Sequence, residues 1–353
     1  MKGSAVVLGQ LAGRGVAARM IDGQLDDLLI DLPEIHCAPE AICRARVGRP
    51  VKGLGGVFVD LPGGANGFLK APRGLRPGAP VLVQVSGFAE PGKAVPVTTR
   101  LLFKGRFAIV TPGAPGCNVS RAIRDPGRAA ALEALAAHGM EGAAPDMGLI
   151  VRSAAEWADD AEVADDIAAM HDLARAVLGD LQGPPELLVD APDTHAIAAR
   201  EWSVPAPDLF DDSPTALHDH AIPEAIAALL DPVVPLAEGH MAIEPTRALI
   251  AVDVNTGADT SPAAGLKANI AAARDLPRQL RLRGLGGQVV IDFAPCPKRD
   301  RQVVEQALQA AFRRDGAQGV LAGWTALGNF ELTRRRDRMP LAALPVSWLQ
   351  EVR

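Results

Sequence analysis

With 353 residues, 48 % of them hydrophobic, the chain has the composition of a soluble globular protein and exceeds a single core, so two or more domains are expected. No apolar run reaches the roughly 18–20 residues of a membrane span, and the N-terminal apolar stretch is too short for a secretory signal. The net charge of −6 argues against a polyanionic partner only if it is spread evenly. It is not: residues 1–130 carry 17 Lys and Arg against 9 Asp and Glu, residues 131–248 carry 4 against 23, and residues 249–353 carry 15 against 10. Basic segments flanking an acidic one point the outer segments towards something anionic, while a solubilising acidic surface accounts for the middle equally well.

Residues 1–35 alternate and turn, and a hairpin is expected with Asp22-Gly23 as its tight turn. From about 38 to 104 the runs are short, β-rich and punctuated by glycine, which suggests a small OB-type barrel. Phe58 and Phe68 end two of these strands; such a pair either fills a core or forms a platform on which bases stack. Helical periodicity starts at Asp125-Pro126, and SAAEWADDAEVADDIAAMHDLARAVLGD predicts an acidic amphipathic helix or helix pair. Between these lies MGLIVRSAAE, a short strand running into a helix start at Arg152-Ser153. A guanidinium and a hydroxyl there suit a phosphate, or serve as a cap and a solvent-facing arginine. Residues 186–240, rich in Pro and Asp, carry connections. Residues 241–353 alternate strand and helix, an α/β arrangement, with a kink or break predicted at Pro277. Cys37, Cys43, Cys117 and Cys296 show no CxxC pair or metal-finger spacing, so they are expected as reduced, mostly buried thiols of a cytoplasmic protein.

Two strands end in carboxylates. ALIAVDVNTGADT delivers Asp253 and Asn255, and GGQVVIDFAPCP delivers Asp292. Hard cations such as Mg²⁺ take one or two carboxylates plus water and substrate phosphates, so Asp253 and Asp292 are either metal ligands or turn caps. Asn255, two residues on, points to the same side as Asp253. The groups Arg278, Arg281, Arg283 and Lys298, Arg299, Arg301 lie beside them in sequence and suit a phosphodiester.

LLDPVVPL, GHMAIEPTRALIAVDVNTG and ANIAAARDLPRQLRLRGLGGQVVIDF, in that order, together resemble the signature of the RNase E/G family of bacterial endoribonucleases. GVFVDLPGGANGFLKAP is similar to that family's OB-fold, and MGLIVRSAA to its sensor segment. The likeness extends over nearly the whole chain, up to ELTRRR. It implies a multidomain α/β and α+β fold: an RNase H-like part at 1–36, an OB-fold RNA-binding domain at 37–104, a 5′-phosphate sensor at 105–185, a second RNase H-like part and connection at 186–235, and a DNase I-like α/β catalytic subdomain at 236–353. The implied activity is Mg²⁺-dependent cleavage of single-stranded RNA by metal-activated water, leaving 5′-phosphate products. Asp253 and Asp292 are the implied metal ligands, assisted by Asn255. Phe58, Phe68, Lys93 and Arg121 are the implied RNA contacts. Ile109, Arg152 and Ser153, which replaces the family's threonine, make up the implied 5′-monophosphate pocket.

The sequence departs from the family at several positions. No CPxC-type pair follows the catalytic part, so a zinc-linked oligomer is not expected, and a homodimer stays open. Basic residues of the family are replaced by Gly87 and Ala326, and its glycine by Ala94. Losing two positive contacts is expected to weaken RNA binding about 10-fold each. The alternatives are therefore a catalytically weak RNA-binding paralogue, or an unrelated metal-dependent phosphohydrolase.

Overall fold

A computed structural model describes residues 2–31, 37–51, 53, 55–70, 74–89, 92–259, 261, 263–316 and 319–352. The chain divides into two compact units, one of residues 1–2, 7–28 and 211–353, the other of 3–6 and 29–210.

The first unit is built on a six-stranded sheet in the order Val233–Leu236, Gly239–Pro245, Ile250–Asn255, Gly287–Asp292, Phe330–Arg334, Gly319–Trp324. Its one parallel pairing joins Ile250–Asn255 to Gly287–Asp292. A parallel pair needs a crossover, and the helix Ala264–Leu282 supplies it. Both strands alternate: Val252, Val254, Val289 and Ile291 are buried beneath that helix and the helix Arg301–Asp315, while Asp253 and Asp292 face out. Of the kink or break expected at Pro277, the break is absent: the helix continues through it. Pro277 is buried, and its apolar packing offsets the hydrogen bond that its missing N–H cannot give.

A further four-stranded sheet, in the order Leu209–Asp211, Ser4–Leu11, Arg14–Ile21, Gln24–Ile30, lies mostly in this unit. The hairpin of Arg14–Ile21 and Gln24–Ile30 turns at Asp22 and Gly23, both with positive φ, the conformation of the tight turn expected there. The end of the expected hairpin segment, residues 32–35, lies outside the described residues.

Three of the arginines read as phosphodiester contacts turn out to be internal ties. Arg278 donates to Asp275 and to the Leu25 carbonyl, both at 2.6 Å. Arg281 pairs with Asp26, Asp27 and Asp315. Arg283, itself buried, donates to the carbonyls of Leu229 and Asp231. Their helix presents them to the N-terminal hairpin and to residues 229–231, and carboxylates and carbonyls there absorb the charge.

The second unit contains a closed five-stranded barrel of Ile42–Val51, Gly56–Asp60, Asn66–Lys70, Val95–Thr98 and Pro80–Val85. The first strand is long enough to serve two edges. Residues 42–46 pair with residues 80–84, and residues 46–51 pair with Gly56–Asp60 across a register shift between Val47 and Pro50. Ala45, Val47, Val57, Val59, Leu69, Val83 and Val97 fill the interior. This is the OB-like barrel the punctuated β-rich sequence predicts. Glu186–Val189 pairs alongside the first strand.

A four-stranded sheet follows, in the order Gly116–Val119, Met147–Val151, Ala108–Pro112, Phe103–Lys104, packed on the helices Pro126–Gly139 and Asp160–Gly179. Asp125 caps the first helix, accepting from the Arg128 N–H at 2.7 Å. The acidic helix begins only at Asp160, and a single 3₁₀ turn, Ser153–Glu156, stands where a helix start was expected. Cys37 and Cys43 are buried, with the Cys43 thiol pushed up to about 12 by burial and by the neighbouring Cys37, whereas Cys117 is exposed. No helix of the described residues is long and apolar enough to cross a membrane.

Asp27, 5 % exposed, shows how far the first unit relies on paired charge. Burial alone would raise its carboxyl pKa, but Arg338 and Arg281 outweigh that and hold it below the ordinary value. A carboxyl depressed in the native state adds stability above its unfolded pKa of about 3.9 and loses it as pH falls through the lower native value. Asp27→Asn is expected to lower stability by about 3 kcal/mol at neutral pH. Urea denaturation should show that difference shrinking below about pH 4; a difference independent of pH would remove Asp27 from the linkage.

Candidate functional site

Side chains at paired positions of neighbouring strands project from the same face. In the parallel register Asp253 is the direct partner of Asp292, so the sheet sets the two exposed carboxylates side by side. Asn255 lies on the same face, and its Nδ2 donates to Asp253 Oδ2 at 2.8 Å. One oxygen of Asp253 is thereby oriented and the other left facing outward. Across the antiparallel neighbour, His240 pairs with Asn255. On the other side Glu331 pairs with Val290, a diagonal step from Asp292. Neither His240 nor Glu331 was among the sequence candidates, because cross-strand register is not written in local sequence; the ELTRRR segment was the only signal near Glu331.

The donor set is oxygen: two carboxylates and an amide. Among the described residues no three His, Cys, Asp or Glu side chains gather as a ligand cluster. Two carboxylates with the remaining positions left to water and substrate oxygens fit Mg²⁺, which keeps several waters; they do not fit a closed zinc site of nitrogen and sulfur. Beyond Asp292 the backbone is clamped by buried Asn269, whose side chain both donates to the Ala294 carbonyl and accepts from its N–H at 2.9 Å. Lys298 and Arg299 are exposed, and the Arg301 guanidinium sits 4.5 Å from the centre of the Trp324 ring.

In the second unit Phe58 and Phe68 are direct cross-strand partners with ring centroids 5.6 Å apart in an edge-to-face arrangement. They are not core: Val57, Val59 and Leu69 fill the barrel, while Phe58 remains 38 % exposed on its outer surface. Lys93 is exposed in the turn before Val95–Thr98, and Arg121 is exposed just past Gly116–Val119.

Ile109 lies on the outer face of the four-stranded sheet, in a row running Asn118, Ile150, Ile109, Lys104. Arg152 follows Ile150 by two residues in extended conformation. Its Nη1 donates to the Gly105 and Arg106 carbonyls at 3.0 and 3.3 Å, and its Nη2 to Glu201. Ser153 is exposed beside it. The residues 105–108 that receive Arg152 are themselves anchored: Asp166 accepts from the N–H groups of Arg106, Phe107 and Ala108 at 3.1, 2.8 and 2.9 Å. Ile150 and Ile109 thus put aliphatic side chains on the face of the sheet that leads to the Arg152 guanidinium, which suits a terminal base next to an anion.

Comparison with known proteins bears on the same segments. The profile of the Ribonuclease E/G family matches residues 103–207 and 206–337. Ribonuclease E of Nostoc sp. (strain PCC 7120 / SAG 25.82 / UTEX 2576) is 31 % identical over 304 residues, covering 74 % of this chain and 44 % of its own length. Ribonuclease G of Escherichia coli (strain K12) is 27 % identical, covering 87 % of this chain and 76 % of its own. The chain therefore spans less than half of the Nostoc relative and about three-quarters of the E. coli one.

The close fit around residues 105–108 is testable by itself. A Cβ on Gly105 would collide with both carboxylate oxygens of Asp166, displacing an acceptor from three backbone donors. Gly105→Ala is expected to cost about 2 kcal/mol in urea denaturation, and an unchanged midpoint would show that Asp166 can move aside.

Proposed function

The chain belongs to the Ribonuclease E/G family of endoribonucleases, and we propose that it is itself a Mg²⁺-dependent endoribonuclease acting on single-stranded RNA in RNA processing or decay. Water attacks a phosphodiester and leaves a 5′-phosphate on the downstream product, with RNA bearing a 5′-monophosphate preferred. The observation that carries the reading is the register that makes Asp253 and Asp292 neighbours, with Asn255 bonded to Asp253.

Asp253 and Asp292 would hold the cation. When bound, it supplies positive charge beside the attacked phosphodiester and a lowered pKa for water. The protein's own share is orientation. Asn255 holds Asp253 Oδ2 and so selects the oxygen presented outward, and the Asn269 clamp fixes the backbone that leaves Asp292. The exposed Lys298 and Arg299 offer cationic contacts to the RNA backbone. Phe58 and Phe68 offer ring surface to an unpaired base, with Lys93 and Arg121 as further contacts. Ile109 supports the terminal base, while Arg152 and Ser153 receive the 5′-phosphate. The same reading assigns the RNase H-like, OB-fold, sensor and DNase I-like regions at the boundaries given above, and a cytoplasmic location. The internal use of Arg278, Arg281 and Arg283, with neutral Gly87 and Ala326, favours a second reading: a paralogue that holds RNA with little cleavage.

One short single-stranded RNA, made with a 5′-monophosphate or a 5′-hydroxyl, separates them. Cleavage by the parent in Mg²⁺ but not in chelator, faster on the monophosphate and abolished in Asp253→Asn and Asp292→Asn with binding retained, is the expected result. Binding without cleavage by the parent would establish the paralogue, and parental rates in Asp292→Asn would remove that residue from the metal site. Phe58→Ala is expected to weaken RNA binding about 10-fold with thermal unfolding unchanged; unaltered affinity would discard the platform.

A further inference from the structure

Arg152, the residue assigned to the 5′-phosphate, already has an anion. Each oxygen of the Glu201 carboxylate is taken by one arginine, Oε2 by Arg152 and Oε1 by Arg200 at 2.8 Å. Arg200 is in turn held by both oxygens of Glu40, at 2.8 and 2.9 Å, and Glu40 by Lys104 at 2.8 Å. The chain of alternating charges Lys104, Glu40, Arg200, Glu201, Arg152 ends on the guanidinium itself. Its inner members are well covered: the Arg200 side chain is 11 % exposed and Glu40 25 %, whereas Glu201 is 37 % exposed. The outermost acid is therefore the replaceable one.

Its placement needs an explanation. Glu201 is the last residue of the helix Thr194–Glu201, and a carboxylate at a helix C-terminus meets the negative end of the dipole, an unfavourable placement. Buried Trp202 follows, its N–H bonded to the Ala198 carbonyl, so the helix end is pinned where the acid meets Arg152. The neighbouring donors are in use as well, since Asp166 holds three backbone N–H groups of residues 106–108. A phosphate arriving with about −1.5 to −2 charge meets a carboxylate in possession of the guanidinium.

We propose that Glu201 is an internal competitor for Arg152, a specificity-determining residue that a 5′-phosphate must displace and that sets how strongly the chain distinguishes 5′-monophosphorylated from 5′-hydroxyl RNA. Displacement leaves Glu201 on Arg200 and transfers Arg152 to the phosphate, with no bond made or broken. The inference rests on the 5′-end reading of Arg152 given above.

The test is equilibrium binding, in chelator so that no cleavage intervenes, of one single-stranded RNA with a 5′-monophosphate or a 5′-hydroxyl. It is run on the parent, Glu201→Gln and Glu201→Ala, each checked for an unchanged melting transition. Both variants are expected to tighten the monophosphate RNA by about fivefold, the scale of a partly exposed ion pair, and to leave the hydroxyl RNA unchanged. A parent that shows no preference beside variants that do would support the competitor equally. If the parent prefers the monophosphate and the variants keep or lose that preference, Glu201 is neutral or positions Arg152, and the competitor is overturned while the 5′-end reading stands. If no protein distinguishes the two ends, the 5′-end reading has failed and the competitor with it.

Discussion

Two carboxylates set opposite each other on neighbouring strands repel, and the first unit is organised around keeping them there. Like charges at directly paired positions destabilise a sheet by up to about 1 kcal/mol, yet Asp253 and Asp292 are such a pair. The reverse side of the same strands offsets this. Val252, Val254, Val289 and Ile291 are each no more than 2 % exposed, and burying one such side chain contributes about 1.5–3 kcal/mol. A slip of one residue would turn these aliphatics outward and both carboxylates into the core. The acid pair therefore cannot relax its repulsion by shifting register, and the cation proposed above would relieve it. Separation of roles between the two faces of one sheet is the constraint from which the helix cover, the clamp by Asn269 and the open oxygen of Asp253 all follow.

The second unit handles charge differently. In composition, the acidic segment could be a mere solubilising surface, but many of its acids are committed to particular donors. Asp180 and Glu186 hold the buried Arg44, Asp160 holds Arg128, Asp166 binds three backbone N–H groups, and Glu201 binds Arg152 and Arg200. Two of these arginines, Arg44 and Arg128, come from the preceding basic segment. Part of the segregation along the sequence is thus cancelled by folding, and what remains exposed is less polarised than a tally suggests.

How much of this was legible depended on whether the signal was local. The strands ending in Asp253 and Asp292 announce themselves by alternation, the Asp22-Gly23 turn by residues that tolerate positive φ, and the helix Pro126–Gly139 by its Asp125 cap. Even the outward direction of Phe58 is implicit in Val57-Phe58-Val59, since a strand that buries both valines must expose the ring between them. What failed was long-range. The partners of Arg281 are Asp26, Asp27 and Asp315, and nothing near Arg281 names them. The same holds for the pairing of His240 with Asn255 and for Glu201, forty-nine residues from Arg152. Pro277 leaves its helix unbroken for a related reason: its helix-breaking chemistry is local, whereas the packing that tolerates it is not.

The division of the chain also sets an order of birth. The hairpin strands of residues 7–28 belong with residues 211–353, and roughly 180 residues of the other unit are made between them. At about 5–20 residues per second, those strands wait about 10–40 s for their partners to emerge. During that interval Asp27 lacks Arg281 and Arg338, Asp26 has only the hairpin's own Arg19, and Leu25 and Leu28, buried in the finished protein, are open to water. The intervening unit is continuous apart from residues 3–6 and can complete its barrel first. The sheet that carries Asp253 and Asp292 is thus the last to assemble, and a ribosome that stalls within the middle segment leaves a folded barrel without it.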